Sequence, residues 1–187
     1  MNNKFPLKIV VYTFCFNEES IIPFCIDYWK RFASKVIVYD NFSTDSSVEI
    51  LSKEDFIEVR KWDTGGKLDD YAHTIMKNSV FKESADDADF ICVCDMDECI
   101  FSDRLFERLE ACNGAIRPKF LNLISNIFPK YNGKLIHNIV DRYIIDMWDN
   151  DDSRGVGRNP TRGEKRKLLL FNPKVVQPVY GIGAYVT

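Results

Sequence analysis

Four short apolar runs, each followed by a polar loop and then by a stretch of helical periodicity, constrain this chain more than any other feature. Residues 8–16 form a nearly continuous run of β-branched, aromatic and other apolar residues. Such a run predicts a strand buried on both faces, as in a parallel sheet. Ile21, Phe24, Cys25, Tyr28 and Phe32 then recur at steps of three and four, which predicts a helix with one apolar face. Pro23 falls in its first turn, where the missing N–H costs least.

The unit repeats. Residues 36–39 read as a second strand, and a helix opens at Asp45 or Ser46, with Ser46 and Glu49 at the spacing of a capping box. Residues 57–62 supply a third strand, and Leu68, Ala72, Ile75 and Ser79 mark a third helical stripe. Residues 89–94 form a fourth strand in which Ile91 and Val93 alternate with Cys92 and Cys94. Ser102 is placed to cap a fourth helix running to Cys112. Strands alternating with helices imply right-handed crossovers and a mostly parallel sheet covered on both faces, so the expected fold is an α/β, three-layer α/β/α sandwich. After Ala115 the regularity weakens. Residues 115–124 and 167–171 look like further strands, separated by a polar, glycine-containing stretch.

Composition narrows the function. The 187 residues are 45% hydrophobic with a net charge of −3, which suits one globular domain and gives no general attraction to nucleic acid. No run approaches the roughly 18 apolar residues a membrane span needs. The apolar N-terminal run, preceded by lysines, has a faint likeness to a secretory leader. Asn17-Glu18-Glu19 stands where a small-residue cleavage site would be, and a buried strand is the better reading. Six cysteines, at 15, 25, 92, 94, 99 and 112, include no CxxC pair and are accompanied by only two histidines, so zinc is not expected. Cys15, Cys92 and Cys94 lie in strand-like runs where a thiol packs as a small hydrophobe, and a reduced, cytoplasmic protein is the expectation.

Polar chemistry gathers where an open α/β sheet binds ligands, outside the carboxyl ends of its strands. The four strands end in Phe16-Asn17-Glu18, Asp40-Asn41-Phe42-Ser43-Thr44-Asp45, Asp63-Thr64-Gly65-Gly66-Lys67 and Asp95-Met96-Asp97-Glu98. Asp95 and Asp97, two residues apart at a strand end, can lean to one side, with Glu98 just beyond. Like charges so placed need solvent, a proton or a cation, and an all-oxygen set favours Mg²⁺ or Mn²⁺. The plainer alternative is a solvated acidic turn. Asp40 sits at the strand end, where a carboxylate can accept from a base or a ribose hydroxyl. Gly65-Gly66-Lys67 allows close backbone approach and adds a cation. Neither GxGxxG nor GxxxxGK[ST] occurs, which argues against dinucleotide-binding and P-loop proteins.

Four segments in order, Thr13-Phe14-Cys15-Phe16-Asn17-Glu18-Glu19, Asp40-Asn41-Phe42-Ser43-Thr44-Asp45, Gly66-Lys67 and Asp95-Met96-Asp97-Glu98, resemble the family 2 glycosyltransferases and their relatives of the GT-A fold, over roughly residues 8–101. The resemblance implies one GT-A-like domain over residues 1–187, with a nucleotide-binding half (1–112) and an acceptor-side half (113–187) that could be incomplete. It implies that Phe14, Asn17, Glu18 and Asp40 line the base and ribose pocket, that Lys67 and Met96 lie at the nucleotide-sugar, that Asp95 touches the ribose or sugar and shares the metal, and that Asp97 binds Mn²⁺ or Mg²⁺. The partners so implied are a nucleoside diphosphate sugar donor and a glycan or lipid-linked acceptor.

The likeness thins toward the C-terminus. Gly181-Ile182-Gly183-Ala184-Tyr185 contains no histidine to complete a metal site, and Asp146, Asp149 and Asp151 are only weak candidates for a catalytic base, since such a run is commonly a solvated loop. His73 and His137 read as structural or exposed rather than catalytic. The basic stretch Arg154, Arg158, Arg162, Lys165, Arg166 and Lys167 could close over diphosphate or touch a membrane surface, which would place the protein at its inner face; a plain solvated loop is the alternative. Tyr143 and Trp148 could stack on a sugar but read better as core. A catalytically silent nucleotide-sugar or carbohydrate binding module is the second functional reading. A nucleotidyltransferase or a receiver-like signalling domain is disfavoured, because this sequence shows neither the glycine-rich, basic N-terminal loop of the first nor the switch lysine and threonine positions of the second.

Overall fold

The structure, a computed structural model, describes residues 5–65, 67, 69–112, 114–116, 121–140, 143–145 and 170–180. The elements are β1 (Ile9–Cys15), α1 (Ile22–Trp29), β2 (Lys35–Asp40), α2 (Ser47–Leu51), β3 (Ile57–Lys61), α3 (Asp70–Ser79) running into a 3-10 turn (Val80–Ser84), β4 (Phe90–Val93), α4 (Leu105–Glu110), β5 (Ala115–Ile116), β6 (Leu121–Leu123), a 3-10 turn (Ile136–Asn138), β7 (Tyr143–Ile145) and β8 (Leu170–Phe171). Six strands form one sheet in the order β3-β2-β1-β4-β8-β5, and β6 and β7 make a separate antiparallel pair. β1 pairs in parallel with β2 and β4, and β2 with β3. β8 runs antiparallel to both β4 and β5. The chain is therefore α/β with a mostly parallel sheet.

Both faces of β1 are covered, so it is buried at every position although its side chains alternate between faces. Ile9, Val11 and Cys15 face a core shared with α1, α2 and α4 through Phe24, Cys25, Trp29, Leu51 and Leu109. Val10, Tyr12 and Phe14 face the opposite core, closed by Val80 and Phe81 and by Phe171 and Tyr180. β4 divides likewise: Phe90 and Cys92 to the first core, Ile91 and Val93 to the second. Trp29, Tyr12, Tyr28 and Phe24 are almost fully enclosed, each a burial worth roughly 1.5–3 kcal/mol. The expected two-sided strand is what this chain builds. On the face toward α1, Thr13 Oγ1 is buried without a hydrogen-bond partner.

Several local expectations need correction. Ser46 stands at the α2 N-cap but makes no side-chain cap bond; the amide of Ser47 goes to Asp45 Oδ1 (2.9 Å) and that of Ser46 to Glu19 Oε2 (2.9 Å). A neighbouring loop thus supplies what the capping box would have. α3 is capped by Asp69, which accepts from the amide of Ala72. Ile75 is exposed, and the inward positions are His73, Lys77 and Val80, so the apolar stripe assigned to this helix is rotated. Ser102 does not cap α4, whose N-cap position is Arg104. Residues 115–124 are two strands in different sheets, and the strand near 167–171 is the two-residue β8. β8 inserts between β4 and β5, so β5 and β8, both from beyond residue 112, join the main sheet while β6 and β7 pair separately. Among the described residues, no helix is long and apolar enough to cross a membrane.

Candidate functional site at the carboxyl edge of the sheet

From β1 the chain steps outward to β2 and β3, then returns to lay β4 on the other side of β1. The strand order reverses there, and the α3 segment that carries the chain back packs on the face opposite α1, α2 and α4, the setting in which an open α/β sheet leaves a crevice at its carboxyl edge. A cavity of about 410 Å³ opens at this edge. It is lined by Phe14, Cys15, Phe16 and Glu18 from the end of β1, Asn41 after β2, Trp62 after β3, Asp70, His73, Thr74 and Lys77 of α3, and Asp95, Met96 and Asp97 after β4.

The loops after β1 and β2 are zipped together by side chains. Asn17 Oδ1 accepts from the amides of Thr44 (2.7 Å) and Asp45 (3.4 Å) and from the Thr44 hydroxyl (3.3 Å). Its own amide donates to Ser43 Oγ at 2.9 Å, and the amide of Glu18 donates to Ser47 Oγ at 2.8 Å. Asn17 holds φ = +56°, a left-handed conformation that asparagine tolerates better than most side chains. Asp40, only 4% exposed, lies in register with Cys15 and Lys61. Its Oδ2 accepts from the amide of Ser43 at 3.1 Å, tightening the turn beyond β2. Asn41 bridges to the loop after β3: its Nδ2 donates to Thr64 Oγ1 (2.7 Å) and its Oδ1 accepts from the Thr64 amide (3.0 Å). Thr64 Oγ1 in turn donates to the carbonyl of Lys67 at 2.6 Å.

The loop after β4 is built differently. Lys77, 3% exposed, reaches from α3 to place Nζ 2.5 Å from Asp95 Oδ1 and 5.8 Å from the ring centre of Phe14. An ammonium is held so deep only with a partner, and Asp95 supplies it. The amide of Asp95 donates to Glu98 Oε2 at 3.0 Å, folding the loop on itself. Met96 turns into the core, and Asp97 remains exposed. Burial, with the charges of Asp97 and Asp45 behind it, raises the Glu18 carboxyl above its ordinary value, so Glu18 and Asp97 feel one another.

One wall is aromatic. Phe14 has Tyr39, Trp62 and His73 at ring-centre distances of 5.8, 5.3 and 5.0 Å, and Trp62 and His73 lie 4.7 Å apart. Burial first, and Lys77 second, lower the His73 pKa. The ring is therefore neutral at physiological pH.

Of the residues anticipated from sequence, Phe14, Glu18, Asp95, Met96 and Asp97 line the cavity. Asn17, Asp40 and Lys67 are not among the lining residues: the Asn17 and Asp40 side chains are engaged in the loops just described, and the Lys67 carbonyl accepts from Thr64. Asp146, Asp149 and Asp151 lie outside the described residues, as do the basic stretch and Gly181-Ile182-Gly183-Ala184-Tyr185. Sequence reasoning missed Lys77, Trp62, Asp70, Thr74 and Asn41, and it read His73 as structural or exposed. Lys77 stands four residues after His73, one helical turn on, and that spacing was the available signal.

Among the described residues, four carboxylates and a single ammonium line the cavity, from Glu18, Asp70, Asp95, Asp97 and Lys77. An anionic ligand would be repelled unless a cation came with it. Among the described residues, no three His, Cys, Asp or Glu side chains gather as a metal-holding group. Asp97, with Glu18 close enough to feel its charge, still fits a hard ion bound through one or two carboxylates and completed by water and ligand oxygens. No family model matches the chain, and a search of curated proteins finds no match.

Proposed function

We propose that this chain is a glycosyltransferase of the GT-A class, moving a sugar from a nucleoside diphosphate sugar to a glycan or lipid-linked acceptor with Mn²⁺ or Mg²⁺ on the diphosphate. The observation that carries the reading is the crevice at the strand-order reversal, where an aromatic wall, a buried lysine and an exposed aspartate meet. In this reading Phe14 and Trp62 flank the base, and Asp40 and Glu18 stand on the ribose side. Asp97 holds the ion, with Glu18 or water beside it. Asp95 is steadied by Lys77 and meets the ribose or sugar, while Lys67 stands at the outer edge of the nucleotide.

A metal on the diphosphate would supply Lewis-acid stabilisation of the charge that grows on the leaving group. The chain's own contribution is orientation and charge balance. Lys77 offsets Asp95, so the ion need compensate fewer carboxylates as well as the diphosphate. The same ion pair favours a second reading, a silent nucleotide-sugar binding module, because it occupies an oxygen that a catalytic metal would otherwise use.

Calorimetry with UDP and with GDP, each with and without Mn²⁺, tests the reading. Metal-dependent binding of one nucleotide, lost in Asp97→Ala, is expected. Donor hydrolysis by the wild type would then select the enzyme over the binding module, and its absence the module. No binding of either nucleotide in Mn²⁺ would overturn both.

A further inference from the structure

We infer that Cys25 and Cys99 form a thiol–disulfide modification site that takes a small disulfide oxidant and ties the oxidation state of the chain to the acidic loop after β4. The two sulfurs belong to elements 74 residues apart in sequence yet lie 3.9 Å from one another. Cys25, on α1, is fully buried and donates through Sγ to the carbonyl of Met96 at 2.9 Å. Cys99 is half-buried and follows Asp97 and Glu98 directly. One cysteine is therefore partly exposed, and the other is buried against it, in contact with the backbone of the loop that carries Asp97.

The other cysteines do not share this arrangement. Cys92, on β4, and Cys94, just past its end, are both buried, so neither offers a first point of attack. Cys15 is also buried, beside Ser43. Cys112 is half-buried, and no described sulfur contact is made to it.

The chemistry balances with a low-molecular-weight disulfide such as oxidised glutathione. Cys99 Sγ loses its proton to solvent and attacks one sulfur of the oxidant, forming a mixed disulfide and releasing one reduced thiol. Cys25 Sγ then attacks Cys99 Sγ, its proton passing to the departing glutathione thiolate, so that the Cys25–Cys99 bond forms, the mixed disulfide breaks and the second reduced thiol is released. Two protein thiols are oxidised and one disulfide is reduced. An S–S bond of about 2.05 Å requires the sulfurs to close by roughly 1.9 Å from their 3.9 Å separation. Cys25 must also give up its bond to Met96, so the segment from Asp95 to Cys99 shifts when the bond forms.

The test uses the folded, reduced full chain carrying Cys112→Ser, treated with oxidised glutathione at pH 8, alkylated and weighed intact and after digestion. The expected product has lost two hydrogens, retains no glutathione and yields the linked peptides of Cys25 and Cys99. In Cys25→Ala the reaction should stop at glutathionylated Cys99; in Cys99→Ala, Cys25 should stay reduced. Stable glutathionylation of Cys99 in the presence of Cys25, or linkage only after addition of urea, would overturn the site. Altered amide exchange over residues 95–99 on oxidation is the expected sign of coupling to the loop, and identical exchange would refute it. Oxidation should also weaken Mn²⁺-dependent UDP binding several-fold, an expectation that rests on the donor reading above. Absence of binding in the reduced protein would sink that reading and leave the thiol chemistry standing.

Discussion

Two acidic loops leave the same edge of the sheet, and they put their carboxylates to different uses. Beyond β2, Asp40 and Asp45 accept from backbone amides of their own turn and of the loop beside it, and Asn17 completes the zipper. Beyond β4, Asp95 is committed to a buried lysine while Asp97 stays exposed. The first loop is a scaffold whose polar groups are absorbed by the chain. The second presents one carboxylate to whatever enters the crevice. Similar acidic motifs at equivalent strand ends thus carry different work, and the difference lies in their partners.

The largest effect should come from the anchoring member of the second loop. Asp95→Ala leaves the Lys77 ammonium, 4% exposed at its side chain, without its partner, and should cost about 3 kcal/mol in urea unfolding. The double variant Lys77→Met/Asp95→Ala should recover most of that loss. A single variant as stable as wild type would mean that the buried pair does not hold the loop.

Next comes the zipper. Asn17→Ala removes three accepted hydrogen bonds and places alanine at positive φ, a combined cost of about 2 kcal/mol; Asn17→Gly keeps the backbone relaxed and should cost about 1 kcal/mol. Equal losses in the two variants would show that the backbone conformation contributes nothing. Thr13→Val, on the strand that both loops flank, removes a buried hydroxyl without a partner and should raise stability by about 1 kcal/mol. A destabilised variant would contradict that.

The smallest effect on stability belongs to the residue with the largest expected effect on binding. Asp97→Asn should leave the urea midpoint within about 0.5 kcal/mol of wild type, as for other exposed positions. Its sign depends on pH. Glu18 binds its proton more tightly in the folded chain than at its ordinary value of 4.5, so its contribution favours folding below that value and is lost as pH rises through the raised folded value. Removing the Asp97 charge relieves part of this loss, so the variant should gain slightly at pH 7 and not at pH 4. A gain at pH 4 alone would reverse the assignment of cause.

Much of this fold is legible in the chain because β1, β2 and β4 are buried on both faces and leave continuous apolar runs. The acids at strand ends are legible for the same reason, since the runs define where the strands stop. α3 is less legible because its inward face carries His73 and Lys77 where an apolar stripe would be expected, while Ile75 is exposed. A buried lysine has no signature until its counter-charge is seen, and Asp95 lies 18 residues away. β8 is two residues long and pairs with strands far from it in sequence, so its position depends on tertiary packing. The division of labour between the acidic loops was hidden because the residues that build turns, Asp, Asn, Ser and Thr, are also those that bind ligands.

The most direct test of that division is paramagnetic broadening of backbone amide signals by substoichiometric Mn²⁺ in the presence of UDP. The account predicts that Phe16, Glu18, Met96 and Asp97 broaden first, and that Asp97→Ala removes the effect while the fold is retained. Broadening centred elsewhere on the chain, or unchanged in Asp97→Ala, would contradict it.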